Sequence, residues 1–159
     1  MMSDEIQAFW TQCRSAVPGI PEDTAYTVKT FGNTEELADR LLTLIKDGDK
    51  TGTFALEWEF EQAPEKTPRS GDHVIVLDGR GKPGCLYRID TIEKLPFSQI
   101  TAQHVACEGP TMRELEPWRK MHWAYWTRIL KGTRYSPTQD MPVIVQWFSV
   151  LYPAVTASS

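Results

Sequence analysis

The sequence predicts an α+β domain built on a small curved mixed sheet or β-barrel flanked by helices. Three observations predict it. Apolar residues recur at helical spacing in some stretches and alternate with polar ones in others, so both element types are present. The order is helix, strand, helix, then strands, then helices, then a strand, which argues against a doubly wound parallel sheet. The chain has 159 residues, enough for one domain with a sizeable core.

The elements follow in order. Residues 3–17 read as an amphipathic helix with Ile6, Phe9, Trp10, Cys13 and Val17 on one side and Ser3 as its cap, ended by Pro18-Gly19-Ile20-Pro21. Tyr26 to Lys29 is a short strand leading to Phe31-Gly32. Asn33 is expected to cap the next helix, with Glu36 completing a capping box. Leu37, Ala38, Leu41, Leu42 and Ile45 form its apolar stripe, and Gly48 suits the left-handed position after its last turn. A strand over 53–60 places Phe54, Leu56, Trp58 and Phe60 on an apolar face and Thr53, Ala55, Glu57 and Glu59 on a mostly polar one. Residues 61–71, with Pro64, Pro68, Ser70 and Gly71, read as a loop.

The second half opens with a hairpin. His73 to Leu77 and Cys85 to Ile92 are its strands, joined by a turn over 78–84. The second strand alternates on both parities, so its faces stay unassigned. Ser98 to Glu108 reads as a short helix broken by Gly109-Pro110. Thr111 with Glu114 suggests a second capping box. Leu115, Trp118, His122, Trp123, Trp126, Ile129 and Leu130 then form a broad stripe better read as core than as base-stacking platforms, and Gly132 ends the helix. A polar loop over 133–142 leads to a final strand, Val143 to Tyr152. One domain over 1–153 is expected, with 154–159 as a tail.

Composition narrows the function classes. Apolar residues make up 41% of the chain, so it is neither disordered nor membrane-like. No apolar run approaches the roughly 20 residues that cross a bilayer. The acidic start, Met1 to Glu5, is unlike a signal peptide, and a cytoplasmic protein is expected. Cys13, Cys85 and Cys107 are odd in number and widely spaced, which predicts buried free thiols. The net charge of −4 opposes generic nucleic-acid binding. However, residues 1–79 carry 7 basic and 15 acidic side chains, and residues 80–159 carry 10 and 6. A basic face from the second half could therefore meet a phosphate chain, against the alternative of an ordinary solvated surface.

The junction Gly48-Asp49-Lys50-Thr51-Gly52-Thr53 is the strongest local candidate for a site. A helix stops there and a strand starts, which sets Lys50, Thr51 and Thr53 at the rim of a sheet where a ligand can reach them. An exposed turn with no further role is the alternative. Arg88 near a site would clamp a phosphate or carboxylate. His104 has the reference pKa for acid–base work. His104, Cys107 and Glu108 fall within one helical turn but lack a fourth ligand, so no metal site is expected.

Several short pieces together resemble the ASCH family, relatives of the RNA-binding PUA domains. They are Phe31-Gly32-Asn33-Thr34, the Gly48 to Thr53 junction, Gly71-Asp72, His104 to Gly109, Trp118 to Trp123 and Met141-Pro142-Val143. Their order and spacing match the bacterial branch of about this length, including its added tryptophan-rich helix before the last strand. The resemblance implies a PUA-like barrel with a cleft beside the lysine turn. Family members have been linked to RNA binding, to ribonuclease activity, and to deacylation of cytidine acetylated on its exocyclic amine. In the deacylating members a Lys, a Thr three residues on and a Glu in a downstream helix act together; these map onto Lys50, Thr53 and Glu108. A basic residue often found two positions after the Thr is Ala55 here.

Three functions follow as expectations. The first is a ribonuclease on single-stranded RNA, with Lys50 as the cation for a phosphorane. Thr51, Thr53 and Arg88 would bind the phosphate, and His104 or Glu108 would be the base. The second is an amidohydrolase on acetylated cytidine, using Lys50, Thr53 and Glu108. The third is a non-catalytic RNA-binding module. The expected partner is RNA or a modified nucleoside. No cofactor is expected, beyond a divalent cation that RNA cleavage can use.

Overall fold

The computed structural model describes residues 3–155, so part of the predicted tail (156–159) lies outside it, as do Met1 and Met2. The order is α1 (Asp4–Ala16), β1 (Tyr26–Thr30), α2 (Glu35–Lys46), β2 (Gly52–Leu56), β3 (His73–Leu77), β4 (Pro83–Pro96), α3 (Ala102–Val105), α4 (Leu115–Leu130) and β5 (Pro142–Tyr152). The strands form one sheet in the order β1-β3-β4-β5-β2, with β1 and β3 parallel and every other pair antiparallel. This is an α+β half-barrel, with the tryptophan-rich helix α4 before the last strand, as the sequence predicts.

The curl comes from the two longest strands. β4 has 14 residues and β5 has 11, and their register shifts between Leu86 and Tyr87 and again between Ile89 and Thr91. Such irregularities bend a strand and raise its twist. The curl draws the two edge strands toward each other. Phe31, just after β1, lies 4.5 Å from the Lys29 amine and 5.8 Å from the Lys50 amine, which just precedes β2.

Three apolar clusters hold the sheet. One joins β2 and β5 to α4 through Phe54, Val143, Val145, Trp118 and Trp126. A second fills the curl with Phe31, Leu42, Ile45, Tyr87, Ile89 and Phe148. The third seats Ile6, Trp10 and Cys13 of α1 on Ile75 and Leu86. The three cysteines are buried free thiols, and burial pushes the Cys13 thiol up to about 11 and those of Cys85 and Cys107 to about 12. Among the described residues no helix is long and apolar enough to cross a membrane.

Local expectations divide. Ser3 caps α1 by accepting the Ile6 amide, as predicted. Gly48 has φ +82°, also as predicted. The α2 cap is Thr34 rather than Asn33: Thr34 is extended, and its hydroxyl accepts the Leu37 amide at 3.1 Å. The strand predicted over 53–60 stops at Leu56, and Glu57–Phe60 turn as a 3-10 helix. The Glu59 carboxylate accepts the Leu56 amide at 2.7 Å, a reach that an extended chain cannot make. Nor does β2 have a solvated face, since all five of its residues are buried.

The helix predicted over 98–108 is only Ala102–Val105, preceded by a 3-10 turn at Phe97–Gln99. The His104 ring accepts the Thr101 amide at 2.9 Å, and the Arg119 guanidinium takes the Ile100 carbonyl, so the N-terminal flank is held outside a helix. Thr111 and Glu114 form no capping box. Pro110–Met112 make a 3-10 turn, and α4 starts after Glu114 with no side-chain cap. The α4 stripe is narrower than predicted: Trp118 and Trp126 are fully buried, but Ile129 is exposed.

Candidate functional site

Four backbone contacts build the junction. The Leu44 carbonyl at the end of α2 accepts the amides of Asp49 and Lys50, which turns the chain sharply. The Thr51 amide donates to the Cys107 carbonyl at 2.8 Å, and the Phe148 amide donates to the Thr51 carbonyl at 3.0 Å. The junction is therefore tied to β5 on one side and to the segment carrying Glu108 on the other. Gly52 makes this approach possible. A Cβ there would stand 2.5 Å from the Gln146 carbonyl and 2.7 Å from the Cys107 sulfur. Arg113 completes the scaffold, donating from Nε to the Glu108 carbonyl and from Nη2 to the Asp49 carbonyl, both at 2.7 Å.

This scaffold brings Lys50 and Glu108 together across 58 residues of sequence. Lys50 Nζ donates to Glu108 Oε1 and to the Gly52 carbonyl, each at 2.6 Å. The other carboxylate oxygen accepts Trp118 Nε1 at 3.0 Å. Lys50 is 4% exposed and Glu108 is 7% exposed, so the pair is withdrawn from water rather than set at an open rim as the sequence suggests. A buried ion pair holds only when its remaining hydrogen-bonding capacity is met, and Gly52 and Trp118 meet much of it.

Two further ionisable groups stand at the pair. His122, one turn along α4 from Trp118, donates from Nδ1 to the Trp118 carbonyl at 3.0 Å. Its Nε2 lies 3.8 Å from Glu108 Oε2. Burial pushes the imidazole down to about 4, against the opposing pull of Glu108, so the ring is neutral at pH 7. Lys29 is half-buried on β1. Burial first, and then the like charge of Lys50, lower its amine to about 8 against the opposing pull of Glu59. Sequence reading assigned neither residue to the site. His122 sat in an apolar stripe, where only its spacing of four from Trp118 was a signal. Lys29 was one residue of a short strand.

Thr53, the second residue of β2, stands opposite Gln146 of β5 and is 7% exposed. Thr51 is exposed beside it. Arg88 does not join the group. Tyr87 and Ile89, its neighbours on β4, point into the curl, so Arg88 faces the other side and pairs with Asp90 at 2.9 Å. His104 is committed elsewhere too. The Thr101 amide fixes Nδ1 as an acceptor, Nε2 donates to Glu93 at 2.8 Å, and the ring lies by Trp147. Among the described residues no group of three or more His, Cys, Asp or Glu is placed to hold a metal ion.

A short hydrogen bond between a buried ammonium and a carboxylate offers a direct path for a proton. The family model for the ASCH domain matches residues 27–152. The chain belongs to the ASCH domain family. This ASCH domain resembles the crystal structure of an ASCH domain from Lactobacillus crispatus, with a TM-score of 0.84 and 25% identity over 95% of this chain and 96% of that one. A protein from Enterococcus faecalis shares the fold at a TM-score of 0.82 and 23% identity, covering 94% and 89% of the two chains. No curated protein matches this ASCH domain.

Proposed function

We propose that this ASCH domain is an amidohydrolase that removes an acyl group from the exocyclic amine of a cytidine-type nucleoside. The observation that carries the reading is the buried, mutually neutralised pair of Lys50 and Glu108, joined at 2.6 Å. An uncharged acyl amide can dock against such a pair without a compensating charge. Cleavage of single-stranded RNA, the activity that sequence reading put first, asks Lys50 to face a phosphorane. Its charge is already met by Glu108, which makes that reading the weaker one. Arg88 and His104, the expected phosphate and acid–base residues, are paired with Asp90 and Glu93.

The chemistry follows from the pair. A short hydrogen bond from ammonium to carboxylate is a direct path for a proton. Once the proton has crossed, Lys50 is an amine able to take the Thr53 hydroxyl proton, and Glu108 is an acid able to give one to a departing nitrogen. The Thr53 oxygen bonds to the acyl carbon, the C–N bond breaks, and the nucleoside amine leaves with the proton from Glu108. For the second half the proton crosses to Glu108 again: Lys50 takes a proton from the water that attacks the threonyl ester, Glu108 returns one to the departing Thr53 oxygen, and the carboxylic acid leaves with the pair restored. His122, held neutral, leaves Glu108 free to act.

The test is incubation with acetylated cytidine, read by chromatography for released cytidine, with single-stranded RNA in a parallel arm. Thr53→Val is expected to abolish release while the protein stays folded. Release that survives Thr53→Val removes the covalent route, and RNA cleavage without cytidine release removes the amidohydrolase.

A further inference from the structure

Gln146 is 2% exposed, and its Nε2 is buried with no hydrogen-bond partner among the described residues. A buried amide donor left unpaired is costly and rare, and where it persists it calls for a reason. Its neighbours across the sheet are Thr53 on β2 and Ile92 on β4. Ile92 offers no polar atom beyond its backbone. Residues directly opposed on antiparallel strands share a face, with Cβ atoms about 4.5–5.5 Å apart. The uncommitted carboxamide therefore stands on the same side of the sheet as the Thr53 hydroxyl.

We propose that the Gln146 carboxamide is the donor for the substrate's acyl carbonyl oxygen, and so stabilises the oxyanion formed when Thr53 attacks. The proposal rests on the amidohydrolase reading and adds a residue to it. As the Thr53 oxygen bonds to the carbonyl carbon, the carbonyl π electrons move onto oxygen. The Gln146 N–H meets that charge, and the pair returns as the C–N bond breaks. A donor kept free of internal partners is already oriented when charge develops, which is where such a group contributes most to rate. Gln146 also favours a ligand that brings a carbonyl over one that brings only donors.

The experiment pairs NMR with kinetics on the full chain. The proton resonance of the Gln146 side-chain amide, assigned by its loss in Gln146→Met, is followed as acetylated cytidine or cytidine is added. Turnover of acetylated cytidine is measured for wild type, Gln146→Met and Gln146→Glu. The resonance is expected to move. Gln146→Met is expected to melt no lower than wild type, because an unpaired donor is removed. Its kcat should fall roughly 100- to 1,000-fold, as on loss of one oxyanion donor, with KM little changed. Gln146→Glu should fall at least as far. A resonance unmoved by either compound overturns the proposal, as does wild-type kcat in Gln146→Met. If wild type releases no cytidine, the deacylase reading fails and the oxyanion role with it; if wild type releases cytidine but Gln146→Met does so at the same kcat, the reading stands and only the role of Gln146 is overturned.

Discussion

At the scale of single residues, the site is held by charges that cannot be removed one at a time. Breaking a buried ion pair from one side leaves the other charge without its partner, a loss of about 3–5 kcal/mol. Lys50→Met and Glu108→Gln should each lower the free energy of urea unfolding, and Lys50→Met most, because Glu108 then keeps only Trp118. The double variant Lys50→Met/Glu108→Leu should cost less than the sum of the two single ones, a sign of coupling. His122 makes a separate prediction. Its value of about 4 lies below the usual 6.5, so the unfolded chain takes up this proton first. Its contribution is complete above about pH 6.5 and is lost as pH falls toward 4, by roughly 3 kcal/mol at most. Stability measured against pH should flatten across that window in His122→Phe. None of these partnerships was legible locally. The pairing of Lys50 with Glu108 came only from family resemblance, since spacing in the chain says nothing about groups 58 residues apart. Lys29 and His122 reach the Lys50–Glu108 pair, and Gln146 reaches Thr53, through the tertiary fold, which residue type does not signal.

At the scale of elements, the junction depends on how closely three backbones approach. Gly52→Ala would drive a Cβ into the Gln146 carbonyl and the Cys107 side chain. Backbone must then shift at β5 or at the Glu108 segment, and overpacking of this kind typically costs about 1–3 kcal/mol. The thermal midpoint should fall, and activity should fall further than the stability loss explains, because the shift separates Lys50 from Glu108. This scale also shows what the sequence makes readable. Elements whose signals are local were found: the Ser3 cap, the Val74–Val76 run of β3 and the stop at Gly48. Elements decided by contact were not. The alternation after Thr53 continues to Phe60, but Glu59 folds back on Leu56 and ends the strand early. Residues 98–108 have helical composition, yet contacts from His104 and Arg119 to backbone around Thr101 break the run. Asn33 and Thr34 are both good caps, and only the backbone geometry chooses between them.

For the molecule as a whole, stability should be uneven across the sheet. β4 and β5 form the longest ladder, with β3 packed beside β4, whereas β1 and β2 each have one partner and one open edge. Native-state amide exchange should be slowest in β3, β4 and the middle of β5. It should be faster in β1 and fastest in the Glu57–Phe60 turn, since local opening follows the number of buried contacts that must break. Equal protection in β1 and β4 would contradict this. The curl brings Lys29 and Phe31 close to the Lys50 junction, so small openings at β1 should uncover that junction while the long ladder stays intact.

The double hold of Arg113 has a broader consequence. Its guanidinium fastens the Asp49 and Glu108 carbonyls like a strut between two posts. The Lys50–Glu108 pair is thereby braced by a side chain that precedes α4, and within α4 only the inner face, where Trp118 donates to Glu108, shares that duty. Exposed side chains on the outer flank of α4, such as Met121 and Tyr125, should therefore tolerate exchange while Lys50 and Glu108 keep their spacing.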